Sequence, residues 1–595
     1  MASRRDRGPD PRPHRRSLLP QPAPAALPDS GGRSALRRRE FLAYFSSVGL
    51  SGTLLPGVLL GMTQEQPVVT PDMIAAAEQL AGLSFDDEQR AMMARGLNQR
   101  LQSYERVRAV PLSNAVPPAF LFDPLPAGYS RPAGGERRPL RYRRTSGLEV
   151  PGDLEELAFW PVIHLAELVR SQAVTSVELT EMYLGRLRHY DEKLHCVITL
   201  TEELAMQQAE QADAEIADGH YRGPLHGIPW GAKDLLNTRG IRTTYGARCF
   251  ENQVLDDDAT VVERLRNAGA VLIAKLSLGA LAMGDVWFGE TTRNPWNFEQ
   301  GSSGSSAGSA SATVAGLVGF AIGTETLGSI VSPCSRCGAT GLRPTYGRVS
   351  RAGAMALSWT MDKIGPIARC VEDCAVILQA LHGPDPGDPS VPDVGYEWDP
   401  DRSLGEVRVG YLQDQFESRR TSDADRVVLE VLRRLGVKLR PVSLPELPAG
   451  DLITILNAEA ATAFDDITRS GEVDQLVRQD PGAWPNSFRT ARMIPAVEYL
   501  RASRVRTLLI EQMARATADV DVFVAPAFGG STLMTTNLTG HPAVVLPCGF
   551  REDGTPTSIT FIGSLYGESK LCTVARAYQD ATDFHRRTPD LDRSS

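Results

Sequence analysis

The chain is 595 residues long, ample for a sizeable core in one large domain or several smaller ones. A net charge of −9 and a pI near 5.7 provide no general positive field for nucleic acid. Eight cysteines in so long a chain do not make a disulfide scaffold, and no heptad or short-period repeat is visible.

Residues 1–33 are rich in Arg, Pro and Gly and read as disordered. Arg38-Arg39-Glu40-Phe41-Leu42 then precedes a modestly apolar run, 43–60, a pattern similar to a twin-arginine export signal. The run contains Gly49, Gly52, Pro56 and Gly57, which makes it marginal as a spanning helix. No clear Ala-x-Ala site follows Leu60, and a surface helix with basic flanks is the plainer alternative. The first expectation places the chain outside the cytoplasm, in the periplasm or beyond, with membrane contact only through this segment. The alternative keeps it cytoplasmic.

Thr70-Pro71-Asp72 starts a helix with apolar residues at Ile74, Leu80 and Leu83, and a second helix is predicted over about 86–106. Residues 109–152 contain Pro111, Pro117, Pro118, Pro124 and Pro126 and read as an extended surface linker. From about 155 the pattern alternates. Helices are predicted at 165–171, 176–191 and 201–218, and buried strands at 270–274, 318–322, 407–412, 520–525, 544–546 and 559–562. Such alternation argues for an α/β domain around a mostly parallel sheet. The expected domains are a leader and signal at 1–62, N-terminal helices and linker at 63–152, and one large domain at 153–590.

The densest signal lies in residues 301–347. It opens with small residues, Gly301 to Ser309 being only Gly, Ser and Ala, turns apolar from Val314 to Ile322, and returns to a tight corner at Thr326-Leu327-Gly328-Ser329. A flexible linker does not pass straight into a buried strand. A phosphate loop needs a Gly-Lys-Ser/Thr that is absent. Gly304-Ser305-Ser306-Ala307-Gly308 spells G-x-S-x-G, but a nucleophile elbow needs a hydrophobic strand before it, and the preceding residues 291–297 are polar and turn-rich. Upstream, Gly227-Ile228-Pro229-Trp230-Gly231-Ala232-Lys233-Asp234 is an apolar run ending on a lysine.

Together these motifs resemble the amidase signature family of serine hydrolases. The Gly-Ser-Ser loop, the Gly323-Thr324-Glu325-Thr326-Leu327-Gly328-Ser329-Ile330 segment, the Ser305-to-Ser329 spacing and the Gly341-Leu342-Arg343-Pro344-Thr345 stretch all fit it. So do Asp362-Lys363-Ile364-Gly365-Pro366 and Asn537-Leu538-Thr539-Gly540-His541-Pro542-Ala543. The resemblance covers roughly 155–585. It implies one large α/β domain with a mixed, twisted sheet flanked by helices. It further implies a triad of Lys233 as base, Ser305 as bridging serine after a cis peptide bond, and Ser329 as nucleophile. The backbone N–H groups of Thr326, Leu327, Gly328 and Ser329 would form the oxyanion hole. A serine needs such a base, and a lysine, with an ordinary pKa of ~10.4, acts as one only when desolvated.

The expected activity is hydrolysis of a small-molecule carboxamide through an acyl-enzyme, with no metal and no organic cofactor required. A homo-oligomer is left open. The alternative is the A subunit of an aspartyl/glutamyl-tRNA amidotransferase, its glutaminase component, which would bring in partner subunits and tRNA. Four positions depart from the family's usual pattern: Ala307 and Leu327 stand in place of glycine, Glu325 in place of aspartate, and Val331 in place of an arginine frequent in that amidotransferase component. His541 reads as a packed or loop histidine. Cys334-Ser335-Arg336-Cys337, Cys370 and Cys374 read as apolar packing, with a disulfide left open.

Overall fold

A computed structural model describes residues 69–593, except 111, 112, 115, 117, 119, 130, 132–140 and 420. The expected leader at 1–62, with its Arg38-Arg39 pair, lies outside the described residues. The chain divides into two units, one ending at Arg108 and one comprising Ala109–Ser595.

The described part of the first unit is two helices, α1 (Pro71–Ala81) and α2 (Asp87–Arg108). The Thr70 hydroxyl accepts from Met73 N at 3.3 Å, Pro71 takes the first helical turn, where its missing N–H costs nothing, and Gly82 closes α1 at φ 64°. Glu78 on α1 pairs with Arg90 on α2 at 2.9 Å.

The second unit is built on an eleven-stranded sheet. Its strands are β1 (Val197–Leu200), β2 (Pro229–Lys233), β3 (Val271–Leu276), β6 (Phe320–Glu325), β7 (Thr340–Arg343), β8 (Lys363–Ala368), β9 (Val409–Leu412), β10 (Arg440–Val442), β11 (Val522–Pro526), β12 (Ala543–Phe550) and β13 (Pro556–Gly563). The order is β1-β3-β2-β6-β8-β7-β12-β13-β11-β9-β10, and β4 (Arg293–Asn294) and β5 (Asn297–Gly301) form a separate ribbon. The predicted strands are present, and the sheet is mixed, as the resemblance implies, rather than mostly parallel, as alternation alone suggests. β2 runs parallel to β3 and β6, and β9 to β10 and β11, whereas β1–β3, β6–β8, β7–β8, β7–β12, β12–β13 and β11–β13 are antiparallel. Central strands of either kind are apolar on both faces, so burial alone does not betray direction.

Helices predicted from periodicity occupy Val162–Arg170, Ser176–Leu194 and Glu202–Ala217. Ser176–Leu194 begins with a capping box: the Thr175 hydroxyl accepts from Glu178 N, and the Glu178 carboxylate accepts from Thr175 N. The proline-rich segment after Ala109 is extended, as its prolines dictate, but it is tied down. Asn114 exchanges hydrogen bonds with the backbone of Ala356 at 2.9 and 2.6 Å, and Phe122 packs edge-on against Tyr346 with ring centroids 5.0 Å apart.

For function the decisive feature is the centre of the sheet. β2 and β6 are parallel neighbours, with Ala232 opposite Ile322, so Lys233 and the residues from Thr324 onward emerge at the same carboxyl-terminal edge. In α/β sheets that edge is where ligand sites form. The antiparallel β8 brings Lys363, its first residue, opposite Glu325 at the same edge.

Candidate active site

Lys233 ends β2 with no solvent exposure. Its Nζ donates to Ser305 Oγ at 2.8 Å, Thr324 Oγ1 at 2.8 Å and Ser306 Oγ at 3.1 Å. All three partners are neutral hydroxyls. Burial therefore pushes the lysine's pKa well below the ordinary value, opposed by the more distant carboxylates of Asp362 and Glu325. A fully desolvated amine at a hydroxyl is the arrangement a serine needs from a lysine base.

The loop after β5 delivers the serines. Gly304 is required there, because a Cβ would lie 1.9 Å from the carbonyl oxygen of Gly284. The Gly304–Ser305 peptide is cis. Ser306 starts the helix α3 (Ala307–Val314), and its hydroxyl donates to Thr324 O and accepts from Thr324 N, both at 3.1 Å. Ser306 is thus wholly buried and committed to β6, and the strand before its loop, β5, belongs to the two-stranded ribbon and not to the central sheet, which disposes of the elbow. The Ser306 N–H donates to Ser329 O at 3.1 Å, joining the loop to the second serine segment.

Ser329 lies in the turn between β6 and the helix α4 (Val331–Cys337). It is 8% exposed, against 0% for Lys233 and Ser305, so it is the member of the expected triad that can meet a substrate. Lys233 and Ser305 are in direct contact. Ser329 joins them through the Ser306 backbone, and among the described residues no side-chain hydrogen bond links it to Ser305. Gly328, at φ 84°, turns the chain where a side chain would be strained.

The amide groups around Ser329 are sorted by Glu325. Its carboxylate accepts from Ile330 N and Val331 N, both at 2.9 Å, and from Arg343 at 2.6 Å and Asn537 at 2.8 Å. Its pKa falls to about 2, the Arg343 charge and the Val331 N–H outweighing burial. Among the described residues the N–H groups of Leu327, Gly328 and Ser329 have no protein acceptor. They remain free for a developing oxyanion, as a site of that kind requires. Thr326 is anchored through its hydroxyl to Asp362 Oδ1 at 2.5 Å.

Two of the unusual residues find explanations. Leu327 is not at positive φ, so glycine is not demanded there, and Glu325 fills every acceptor direction. His541 is buried with Thr539 Oγ1 at 2.8 Å, and burial beside Arg343 drives its pKa to about 3, so it stays neutral. All eight cysteines are free thiols, and Cys334 and Cys337 are buried. Among the described residues no cluster of His, Cys, Asp or Glu has the form of a metal site.

Sequence reasoning missed Ser306 and Thr324 as partners of Lys233, Glu325 as the organiser of the turn, and Lys363. No local signal in the sequence marks them, because the adjacency of β2 and β6 that aligns Lys233 with the Gly-Thr-Glu segment is a property of the folded sheet. A cavity of about 90 Å³ adjoins the centre, lined among others by Thr324, Thr326, Asp362, Lys363, Leu357 and Met355.

A mixed α/β sheet carrying a Gly/Ser loop over the carboxyl ends of its parallel strands defines a protein of the amidase type. The chain belongs to the amidase signature family, residues 178–572 matching the family described as Amidase. It is 38% identical over 468 residues to the A subunit of the glutamyl-tRNA(Gln) amidotransferase of Roseiflexus sp. (strain RS-1), covering 70% of this chain and 95% of the relative. Among solved structures it resembles the peptide amidase of Stenotrophomonas maltophilia, with 31% identity, a TM-score of 0.66, and coverage of 74% of this chain and 100% of that one. It also resembles the A subunit of the glutamyl-tRNA(Gln) amidotransferase of Thermotoga maritima, with 26% identity, a TM-score of 0.59, and coverage of 71% and 95%.

Proposed function

We propose that the chain cleaves a carboxamide C–N bond by acyl transfer to Ser329, with Lys233 as base and Ser305 as proton relay. The observation that carries this reading is the contact of a fully buried, carboxylate-free Lys233 Nζ with Ser305 Oγ at 2.8 Å. A neutral amine has two N–H donors and one lone pair. With the donors on Ser306 Oγ and Thr324 Oγ1, the lone pair faces Ser305. Lys233 then takes the Ser305 proton as Ser305 takes that of Ser329. Ser329 Oγ attacks the carbonyl, and the turn's N–H groups hold the oxyanion. The proton returns along the same path to the leaving nitrogen, and water repeats the cycle to release the acid. A serine-reactive fluorophosphonate followed by peptide mapping tests this: the label is expected on Ser329, and a label on Ser306 with Ser329→Ala still active would overturn it.

On the first reading, the purified chain alone hydrolyses small amides. A second reading is carried by the curated relatives, which are amidotransferase A subunits matched over nearly their whole length, at 38% and 36% identity for the two Roseiflexus proteins. They weigh more toward this reading than the peptide amidase neighbour weighs toward the first. On it, the same chemistry serves a tRNA amidotransferase with partner subunits. Against it stands Val331, buried in an apolar cluster with Ala310, Val314 and Cys334, where the resemblance places an arginine. Ammonia release by the chain alone supports the first reading; release only with added subunits, tRNA and ATP supports the second. Export directed by Arg38 and Arg39 belongs to the first reading.

A further inference from the structure

Three lysines are buried among the described residues: Lys233, Lys275 and Lys363. Lys275 has a counter-charge, Asp234 at 2.9 Å, and Lys233 has a chemical reason to lack one. Lys363 has neither. Its Nζ donates to Met361 O, the one hydrogen-bond partner it has among the described residues, which leaves two of its three donors unused. It forms no ion pair there, because the carboxylates beside it are already engaged. Glu325, its cross-strand partner, is held by Arg343, Asn537 and two backbone N–H groups. Asp362 accepts from Thr326 Oγ1 and from Leu357 N and Ser358 N.

Lys363 also lines the cavity that adjoins the reacting centre. The same cavity is lined by Thr324, which holds Lys233, and by Thr326, which begins the oxyanion turn. Leu235, Met355 and Leu357 supply apolar wall. Arg351 and Asp388, also at its wall, satisfy each other in an ion pair at 3.1 Å. At about 90 Å³ the cavity is far smaller than one for a drug-sized ligand. It therefore suits a short aliphatic chain with a polar group at its far end.

We infer that Lys363 is a specificity-determining cation: the acyl part of the substrate is short and ends in a carboxylate, which Lys363 binds while the carboxamide lies at Ser329. The substrate class is the monoamide of a short dicarboxylic acid. This rests on the proposed acyl transfer at Ser329 and specifies what that site accepts. Empty, the site disfavours the ammonium of Lys363, mainly through burial and then through the Arg343 charge, against the opposing carboxylates of Glu325 and Asp362, and a bound carboxylate would add a directly hydrogen-bonded counter-charge.

The test uses the full chain and malonamate, succinamate and glutaramate, each against the neutral amide of equal chain length. At least one pair is expected to show a preference for the carboxylated amide in kcat/KM. Lys363→Met should cut that ratio by about 10- to 100-fold, the range for losing a charged hydrogen bond. Lys363→Gln, which keeps the length and a donor, should fall between the two and serves if the Met variant does not fold. A ratio unchanged in both variants, or no preference for any of the three acids, overturns the inference. Calorimetric binding of the same three amides to Ser329→Ala separates this from the chemistry. Binding that Lys363→Met abolishes, or that Lys363→Gln weakens at least several-fold, upholds the role of Lys363 even if no amide turns over, whereas binding unchanged in both variants, or no binding of any of the three, refutes it.

Discussion

Replacing Lys233 by methionine should make the stability difference from wild type depend steeply on pH. The substitution removes three hydrogen bonds, to Ser305, Ser306 and Thr324. At about 1 kcal/mol each they favour the wild type by roughly 3 kcal/mol at any pH. The second effect comes from titration. Burial lowers the folded pKa of Lys233 below its unfolded value of ~10.4. Above that value both states are neutral and the lysine carries no penalty. As pH falls below it, the unfolded chain binds a proton that the folded chain refuses, and wild type loses about 1.4 kcal/mol per pH unit until the folded pKa is reached. Methionine has no such term. The two effects oppose each other, so the advantage of the wild type over Lys233→Met shrinks steadily as pH falls from the unfolded pKa toward the folded one. Urea denaturation of both proteins between about pH 7 and 10.5 measures this. The lower end of the slope reports the folded pKa, and wild-type kcat should rise through the same value. Lys275 and Lys363 are also depressed but are common to both proteins, so they drop out of the difference. A stability difference independent of pH would refute the argument, since Lys233 would then titrate alike in both states and could not serve as a neutral base.

Glu325→Gln leaves Arg343 buried without its counter-charge, and the expected loss is about 3–5 kcal/mol in denaturation experiments, with kcat falling as the turn at Ile330 and Val331 loosens. Gly328→Ala forces a side chain to φ 84° and within 3.0 Å of Leu533 and Ser332, so kcat should drop at least tenfold; Leu327→Gly, at ordinary φ, should leave kcat within a few-fold, and the two assays side by side check that the turn's backbone matters more than its side chains. For export, residues 1–70 fused to a reporter active only outside the cytoplasm should give signal, lost when Arg38 and Arg39 become lysine; equal signal from the lysine pair would refute a twin-arginine route.

What could be read in the sequence was whatever is local. Periodicity located the helices around 176–191 and 201–218, and β-branched runs located β3, β6, β11, β12 and β13. β8 escaped because it reads Lys363-Ile364-Gly365-Pro366-Ile367-Ala368. Glycine and proline weaken a strand, and a lysine does not belong in a central one. Yet all six residues are buried, because β6 and β7 flank them on either side. Strand direction escaped the alternation pattern for a related reason: a strand covered on both faces looks alike whether its neighbours run parallel or antiparallel. Alternation with helices therefore suggested a mostly parallel sheet, and only the family resemblance implied the mixed one that is present.

Glu325 shows where local reading ends in the site itself. In the sequence it is a departure from aspartate and nothing more. In the structure its four interactions come from the helix start five and six residues on, from β7 eighteen residues on, and from Asn537, 212 residues away. Only the strand order β6-β8-β7-β12 brings those groups to one carboxylate. The consequence is chemical. By engaging the N–H groups of Ile330 and Val331, Glu325 ends the series of free amides at Ser329, so the donors left at the turn are those beside the residue proposed to attack. The same strand order puts Lys363 opposite Glu325, which has no acceptor direction left for it. Lys363 is left beside a saturated carboxylate with two donors unused among the described residues, at the wall of the adjoining cavity, and the proposed substrate carboxylate is the group that would meet them.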